Sequence, residues 1–171
     1  PWLCPDPARL ATWRERCGSG RQPVCGIAWS SKNPRVGRDK SVRLADLLPV
    51  LRLPGVRFVD LQYGDTAAER ADLRAAHGLG PEHFDDLDSF NDIEGLCALI
   101  AACDLIVTTS NVTTHLAGAM GRPVLQLTPH ARGKLWYWHR GIDPSPWYPS
   151  VHLYEQAGDG DWSAAIAGLL V

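Results

Sequence analysis

Residues 104–127 read DLIVTTSNVTTHLAGAMGRPVLQL, and this stretch decides the fold of the chain. The apolar, β-branched run 105–109 is typical of a buried parallel strand. Apolar residues then recur at helical spacing over 112–120, and Gly121 ends that helix as a residue suited to a left-handed conformation. A second apolar run, 124–127, completes a strand–turn–helix–strand unit.

The turn inside this unit is rich in hydroxyls and carries one amide. Ser110 and Asn111 precede a helix N-terminus, where backbone N–H groups are unpaired and the helix dipole is positive. Thr113 and Thr114 add side-chain donors, so the turn predicts a site for an anion such as a diphosphate. The alternative is that Ser110 or Asn111 only caps the helix. A cap accounts for one polar residue, whereas the cluster between residues 109 and 114 contains five.

Outward from this unit, strands alternate with helices along the whole chain. This alternation predicts an α/β fold with a Rossmann-like, doubly wound parallel sheet in the order 3-2-1-4-5-6 and right-handed crossovers. The other predicted strands lie at 24–29, 56–62, 84–87 and 151–154, and the other helices run from Asp6 to Cys17, Ser41 to Leu53, Thr66 to His77, Asp92 to Ala101 and Asp161 to Val171.

The first and fourth predicted strands end at Trp29 and Thr109, on either side of the topological switch point where such sheets bind ligands. The loop 30–40, which follows the first strand, is cationic. We expect the positive charges of this loop to face the N-terminus of the helix at 112–120, and this arrangement predicts a diphosphate site. Neither GxGxxG nor GxxxxGK[ST] occurs, which argues against a nicotinamide cofactor or an ATPase. The basic residues of the loop are Lys32, Arg35, Arg38 and Lys40.

Composition narrows the function classes further. The net charge of −2 gives no electrostatic case for binding nucleic acid, and no apolar run reaches the roughly 18 residues of a membrane span. Five cysteines without a CxxC pair indicate reduced, mostly buried thiols and a cytoplasmic protein, and we predict no metal site. Because the chain starts at Pro1, we expect it to be part of a longer protein, with a linker helix at 1–20 and one domain at 21–171.

Five segments occur in order: GIAWSSKNP, DKSVRLADL, VRFVDLQYG, NVTTHLAGAMGRPVLQLTP and SPWYPSVHLYEQ. Over residues 5–170 the chain resembles the C-terminal, GT-B glycosyltransferase-like domain of bacterial tetratricopeptide-repeat (TPR) proteins. It is more distantly similar to ADP-heptose heptosyltransferases and O-linked N-acetylglucosamine transferase. In these relatives this half binds the nucleotide-sugar donor and the preceding half binds the acceptor. The resemblance implies a nucleoside-diphosphate-sugar substrate, a protein or glycan acceptor, and no other cofactor.

The resemblance also implies roles for single residues. Lys40 matches a basic residue that pairs with donor phosphate, and 29–31 match the first phosphate-facing loop. Where heptosyltransferases carry Asp-Thr-Gly, this chain has Ser110-Asn111-Val112, and loss of the Asp argues against a heptose donor. The predicted ligand-binding residues are Ser30, Ser31, Lys40, Gln62, Asn111, Val112, Thr113, Thr114 and His115, with 87–92 near the base and ribose.

Two side-chain groups have alternative interpretations. His115 is predicted to hydrogen-bond either a phosphate or the backbone of the turn. Trp136, Trp138, Trp147 and Tyr148 are predicted to pack over the edge of the sheet rather than to act as stacking platforms.

Two function classes follow. The first is the donor-binding half of a glycosyltransferase, with the general base outside this chain, so that the isolated chain is expected to be inactive. The second is a non-catalytic Rossmann module that holds a nucleotide or a partner protein.

Overall fold

The computed structural model describes residues 1–18 and 20–170. Its sheet has five parallel strands in the order β2-β1-β3-β4-β5. The predicted doubly wound α/β fold is confirmed, because helices cover both faces of this sheet. The strands are β1 Val24–Ala28, β2 Arg57–Asp60, β3 Leu105–Thr109, β4 Val124–Thr128 and β5 Val151–Glu155.

Six α-helices surround the sheet, and two short 3-10 turns precede the second of them. One turn is Arg38–Lys40 and the other is Leu44–Leu47. The helices are α1 Pro7–Cys17, α2 Leu48–Leu51, α3 Ala67–His77, α4 Ile93–Ala102, α5 Val112–Ala119 and α6 Ser163–Gly168.

Each face of the sheet has its own hydrophobic core. Side chains alternate along β1, so that Val24 and Ala28 contact the core formed with α1, α4 and α5, whereas Cys25 and Ile27 contact the core formed with α2, α3 and α6. Burial on both faces explains why β1 and β3 read as continuous apolar runs.

The central unit forms as the sequence predicts. Asn111 caps α5 by accepting the N–H of Thr113 at 2.9 Å. The helix ends before Gly121, whose φ of +69° suits glycine. Its last carbonyls are satisfied in part by Arg122, whose N–H donates to the carbonyl oxygen of Ala117 at 2.9 Å.

The predicted strand at 84–87 is wrong. Only Glu82, just before it, pairs with the sheet, through a single parallel bridge to Val59. Leu87 instead closes a turn by donating its N–H to the carbonyl oxygen of Phe84 at 3.1 Å. The observed order is therefore the predicted one without its third strand.

The predicted helix from Ser41 to Leu53 is broken into a 3-10 turn and the short α2. Pro49 has no N–H, so a continuous helix would lose the bond to the carbonyl of Ala45. Ser41 is not a helix cap, because its hydroxyl donates to the carbonyl oxygen of Gly37 at 2.7 Å.

Helix boundaries at the two ends of the chain also differ in part from the expectations. Asp6 caps α1 as predicted, and α1 packs against α4 with Trp13 and Cys17 in the core. Asp161 accepts the N–H of Ser163, but α6 ends at Gly168. Val171 and Ser19 lie outside the described residues, and the division of the chain at residue 20 stays a prediction.

Candidate functional site

The candidate site lies at the carboxyl ends of β1 and β3, which are neighbours in the sheet. A direct hydrogen bond joins the two turns that follow these strands, since the Asn111 amide donates to the carbonyl oxygen of Ser30 at 3.2 Å. The structure therefore brings the loop after β1 and the first turn of α5 together. This is the crevice that the strand order predicts.

Gln62 fixes the turn after β1. Its side-chain oxygen accepts the N–H groups of Trp29 and Ser30 at 2.9 and 2.7 Å, and its amide nitrogen donates to the carbonyl oxygen of Tyr63 at 3.0 Å. Gln62 is fully buried. Its amide atoms thus hold the backbone, and it contributes to the predicted site by positioning Ser30.

Ser31 lies in the same loop and is half-buried. Its N–H donates to the Ser41 hydroxyl at 2.9 Å, and its own hydroxyl accepts the N–H of Asn33 at 3.4 Å. These bonds fold the loop tightly, and Gly37 allows this because an added Cβ would lie 2.3 Å from the carbonyl oxygen of Ser31. The loop therefore has a fixed shape next to the crevice.

The first turn of α5 is only partly self-satisfied. The Asn111 side-chain oxygen accepts from Thr113 N–H and from the Thr108 hydroxyl, and the Thr114 hydroxyl donates to the carbonyl oxygen of Thr109 at 3.1 Å. The cap thus engages one N–H group of the turn, that of Thr113. The buried hydroxyl of Thr113 itself has no hydrogen-bond partner.

Val112 begins α5 and is 40% exposed, whereas Thr113 and Thr114 are fully buried. A ligand at this helix end would therefore meet Val112 and backbone N–H groups rather than the two threonine side chains. The dipole of the helix still favours negative charge at this point.

Lys40 supplies the cation of the crevice. Its side chain is 4% exposed, and burial lowers its pKa. Among the described residues no carboxylate lies within 4 Å of its ammonium group. By contrast, Lys134 at the rim is paired with Glu155 at 2.8 Å. Partial desolvation of a cation that has no counter-ion is unfavourable, so Lys40 favours an anion at this place.

His115 lies in the second half of the first turn of α5, close to Lys40. Burial and then the charge of Lys40 lower its pKa, so the ring is neutral at pH 7. Its Nδ1 atom lies 3.1 Å from the Tyr148 hydroxyl and its Nε2 atom lies 3.4 Å from the Tyr137 hydroxyl. The turn backbone, one of the two predicted partners of His115, occupies neither nitrogen, and a phosphate contact stays a prediction.

The long connection between β4 and β5 covers α5 with aromatic side chains. Trp138 is fully buried, stacks on His115 with 5.3 Å between ring centroids, and donates its indole N–H to the Ser110 hydroxyl at 2.8 Å. Trp138 is therefore a packing residue, as predicted, but it packs on α5 and the turn after β3 rather than on the edge of the sheet. Trp136 and Trp147 differ, since they are 78% and 45% exposed.

Tyr137 and Tyr148, whose hydroxyl groups lie on either side of His115, were not identified from the sequence as its partners. The density of aromatic residues at 136–148 was the available signal, but linear spacing does not show which hydroxyl reaches a histidine on another element. Gly133 lets this connection approach the crevice, because an added Cβ would lie 3.2 Å from the Lys40 backbone nitrogen and its φ is +76°.

Residues 1–18 and 20–170 contain no group of three or more His, Cys, Asp or Glu side chains that would hold a metal ion. In the same residues no helix is long and apolar enough to cross a membrane.

Sequence comparison finds one relative that covers nearly the whole chain. Protein FlbA from Caulobacter vibrioides is 38% identical over 166 residues, which are 94% of this chain and 27% of that protein. The chain thus spans about a quarter of the length of this relative. No family model matches the sequence.

Comparison of structures finds glycosyltransferases. The ADP-heptose lipopolysaccharide heptosyltransferase II of E. coli superposes with a TM-score of 0.62 and 18% identity, over 90% of this chain and 44% of that enzyme. A family 9 glycosyltransferase from Veillonella parvula gives a TM-score of 0.55 and 14% identity, over 85% and 40%. The chain has the fold of somewhat less than half of a GT-B glycosyltransferase.

Proposed function

We propose that this chain is the nucleotide-sugar-binding half of a glycosyltransferase and that it holds the donor diphosphate between Lys40 and the first turn of α5. The observation that carries the proposal is the buried side chain of Lys40, for whose ammonium group the described residues provide no carboxylate partner. A diphosphate would neutralise this charge and accept hydrogen bonds from the helix N-terminus. The likeness in fold to two glycosyltransferases supports the same ligand class.

In the reaction, these groups would stabilise the diphosphate as it leaves the sugar. Lys40 and the α5 dipole place positive charge where negative charge develops, at a site whose shape is fixed before the donor binds. The general base and the acceptor, a protein or a glycan, would come from outside this chain. This arrangement follows the resemblance to TPR proteins with a GT-B-like half, and we expect the isolated chain to transfer no sugar.

We also propose that the protein works in the cytoplasm. All five cysteines are free thiols, and four of them are buried, which suits a reducing compartment. Burial raises the pKa of Cys25 to about 12, so this thiol is not a reactive nucleophile.

A second function, a non-catalytic nucleotide- or partner-binding module, is favoured by one observation. The amide oxygen of Asn111 accepts from Thr108 and Thr113 and its nitrogen donates to Ser30, and the turn offers no carboxylate to a sugar hydroxyl. A module of this kind would bind the diphosphate without turning the donor over.

Both functions require that the chain binds a nucleoside diphosphate, and calorimetric titration with UDP, GDP and ADP tests this binding. We expect saturable binding of at least one diphosphate with a 1:1 stoichiometry. Absence of binding by all three would contradict the proposal. Sugar transfer or donor hydrolysis by the full-length protein, lost in its Lys40→Met variant, would then separate the enzyme from the binding module.

A further inference from the structure

An aromatic pocket opens beside the crevice and has no role in the site described so far. We define it by its lining residues, and its volume is about 320 Å³. Its size suits a single small ring rather than a whole nucleotide. The lining residues are His115, Trp136, Tyr137, Trp147 and Tyr148.

We propose that the aromatic pocket binds the sugar ring of the nucleotide-sugar donor, an inference that rests on the proposed function. The pocket has three properties that this assignment needs: exposed aromatic faces, an uncharged lining with a few hydroxyl groups, and a lining residue, His115, in the first turn of α5.

The exposed faces belong to two indoles that the fold holds in place. Trp136 is 78% exposed and meets Tyr137 edge to face at 5.6 Å. Trp147 is 45% exposed and donates its indole N–H to the carbonyl oxygen of Tyr137 at 2.9 Å. An indole that is fixed in this way presents a flat apolar face to solvent. The C–H face of a pyranose ring packs on such a face, and little side-chain entropy is lost on binding.

The lining is uncharged. It contains no Asp, Glu, Lys or Arg, and His115 lies between two tyrosine hydroxyls. An aromatic cage also attracts organic cations, but the nearby charge of Lys40, which acts on His115, opposes a cation here. A neutral ring whose hydroxyls exchange hydrogen bonds with Tyr137 and Tyr148 matches both the apolar and the polar parts of the lining.

The pocket adjoins the diphosphate site through a shared residue. His115 lines the pocket and belongs to the first turn of α5, where it senses the charge of Lys40. A nucleotide sugar has the same order of parts, an anionic diphosphate followed by a neutral ring. One ligand of this class would therefore fill the crevice and the pocket together.

The test compares each sugar nucleotide with its own diphosphate. UDP-glucose, UDP-N-acetylglucosamine, GDP-mannose and ADP-glucose are titrated against UDP, GDP and ADP by calorimetry, with the parent chain, Trp136→Ala and Leu53→Ala. Leu53 is the control, because it is an exposed large apolar residue (39%) that does not line the pocket and lies outside the predicted donor site. Trp136 is chosen over Trp147 because its greater exposure makes loss of folding the smaller risk.

For at least one pair, we expect the sugar to improve the affinity of the parent chain about tenfold. Trp136→Ala should lose this gain while its affinity for the bare diphosphate stays unchanged, and Leu53→Ala should keep both. No gain from any sugar, or an equal loss for diphosphate and sugar nucleotide in Trp136→Ala, would overturn the inference.

A second titration separates this inference from the proposed function. If no diphosphate binds, the proposed function fails, and methyl pyranosides are then titrated while tryptophan fluorescence is followed. Saturable quenching that is lost in Trp136→Ala would still support a sugar pocket. No quenching would overturn it, and so would binding of an apolar dye in place of the pyranosides, which would indicate a docking surface for a protein.

Discussion

At the scale of single residues, the site depends on one lysine that the fold buries without neutralising. The cationic loop and the resemblance to glycosyltransferases both direct attention to Lys40. Its 4% exposure and the lack of a carboxylate partner among the described residues are properties of the folded chain. They depend on where the connection after β4 lies, which local sequence does not determine.

The first prediction is that Lys40→Met weakens diphosphate binding without lowering the stability of the fold. Diphosphate affinity should fall roughly 10- to 100-fold, because a charge-assisted hydrogen bond to phosphate is lost. The free energy of unfolding should stay level or rise, because methionine keeps the apolar stem and removes an unpaired buried charge. Calorimetry and urea denaturation measure the two quantities.

Lys32→Met is the matched control for this variant. Lys32 lies in the same loop but is exposed, so its loss should change neither quantity by much. A Lys40→Met variant that binds diphosphate as tightly as the parent would remove Lys40 from the site.

The second prediction concerns acid sensitivity at His115. The pKa of His115 in the folded chain is lowered from the ordinary value of 6.5, mainly by burial and then by the charge of Lys40. Below pH 6.5 the histidine is therefore protonated more readily in the unfolded chain than in the folded chain. The free energy of unfolding should therefore fall as the pH drops through and below this value. His115→Gln should lose less stability over the same range.

Urea denaturation of both proteins between about pH 5 and pH 8 measures the effect. The other histidines titrate in both proteins, so their contributions cancel in the difference. Two pH profiles that run parallel would show that His115 keeps its ordinary pKa in the folded chain.

At the scale of elements, the sequence predicts secondary structure best where the hydrophobic pattern agrees with the residues that begin and end an element. The strand–turn–helix–strand unit has a β-branched run, a capping amide and a terminal glycine, and it forms over 105–128 as expected. The stretch 41–53 had an apolar stripe and a candidate serine cap, and 84–87 had only two apolar residues on either side of two aspartates. In the first, Pro49 interrupts the backbone bonding, and in the second, only the preceding Glu82 meets the sheet.

Each of the two interpretations of the α5 N-terminus, a helix cap and an anion site, agrees with part of the observed geometry. Asn111 caps one N–H group, as the simpler interpretation requires, while the dipole of an eight-residue helix and Lys40 remain available to an anion. Sequence reasoning did not anticipate that Thr113 would be fully buried. A charge introduced at Thr113 would disturb the core, so a test of the helix end belongs at the exposed Val112.

The third prediction is therefore made for Val112→Glu. A carboxylate at the first helical position should be tolerated or should stabilise α5 by a few tenths of a kcal/mol, because negative charge suits this end of the dipole. It should nevertheless weaken diphosphate binding at least tenfold by repulsion. Thermal unfolding and calorimetry measure the two effects.

Val112→Gln is the control, since it has the same length without the charge. It should bind diphosphate nearly as well as the parent chain. Equal affinity of the glutamate and glutamine variants would place the anion away from α5.

At the scale of the whole molecule, the strand order creates the site. β1 and β3 are neighbours although three α-helices and a strand separate them in sequence, and their carboxyl ends bring the Ser30 loop to Asn111. The alternation of elements was sufficient to predict this order. The position of the aromatic connection over α5 was not predictable, because it depends on long-range contacts such as that between Trp138 and Ser110.

The central claim is that a diphosphate binds between Lys40 and the first turn of α5. Titration of the ¹⁵N-labelled 171-residue chain with the tightest-binding diphosphate, followed by two-dimensional NMR, tests it most directly. We predict that the largest amide shifts fall at Ser30, Lys40 and Val112 to His115, and that Lys40→Met abolishes them at the same ligand concentration. Shifts centred elsewhere, or unchanged spectra at millimolar diphosphate, would contradict the claim.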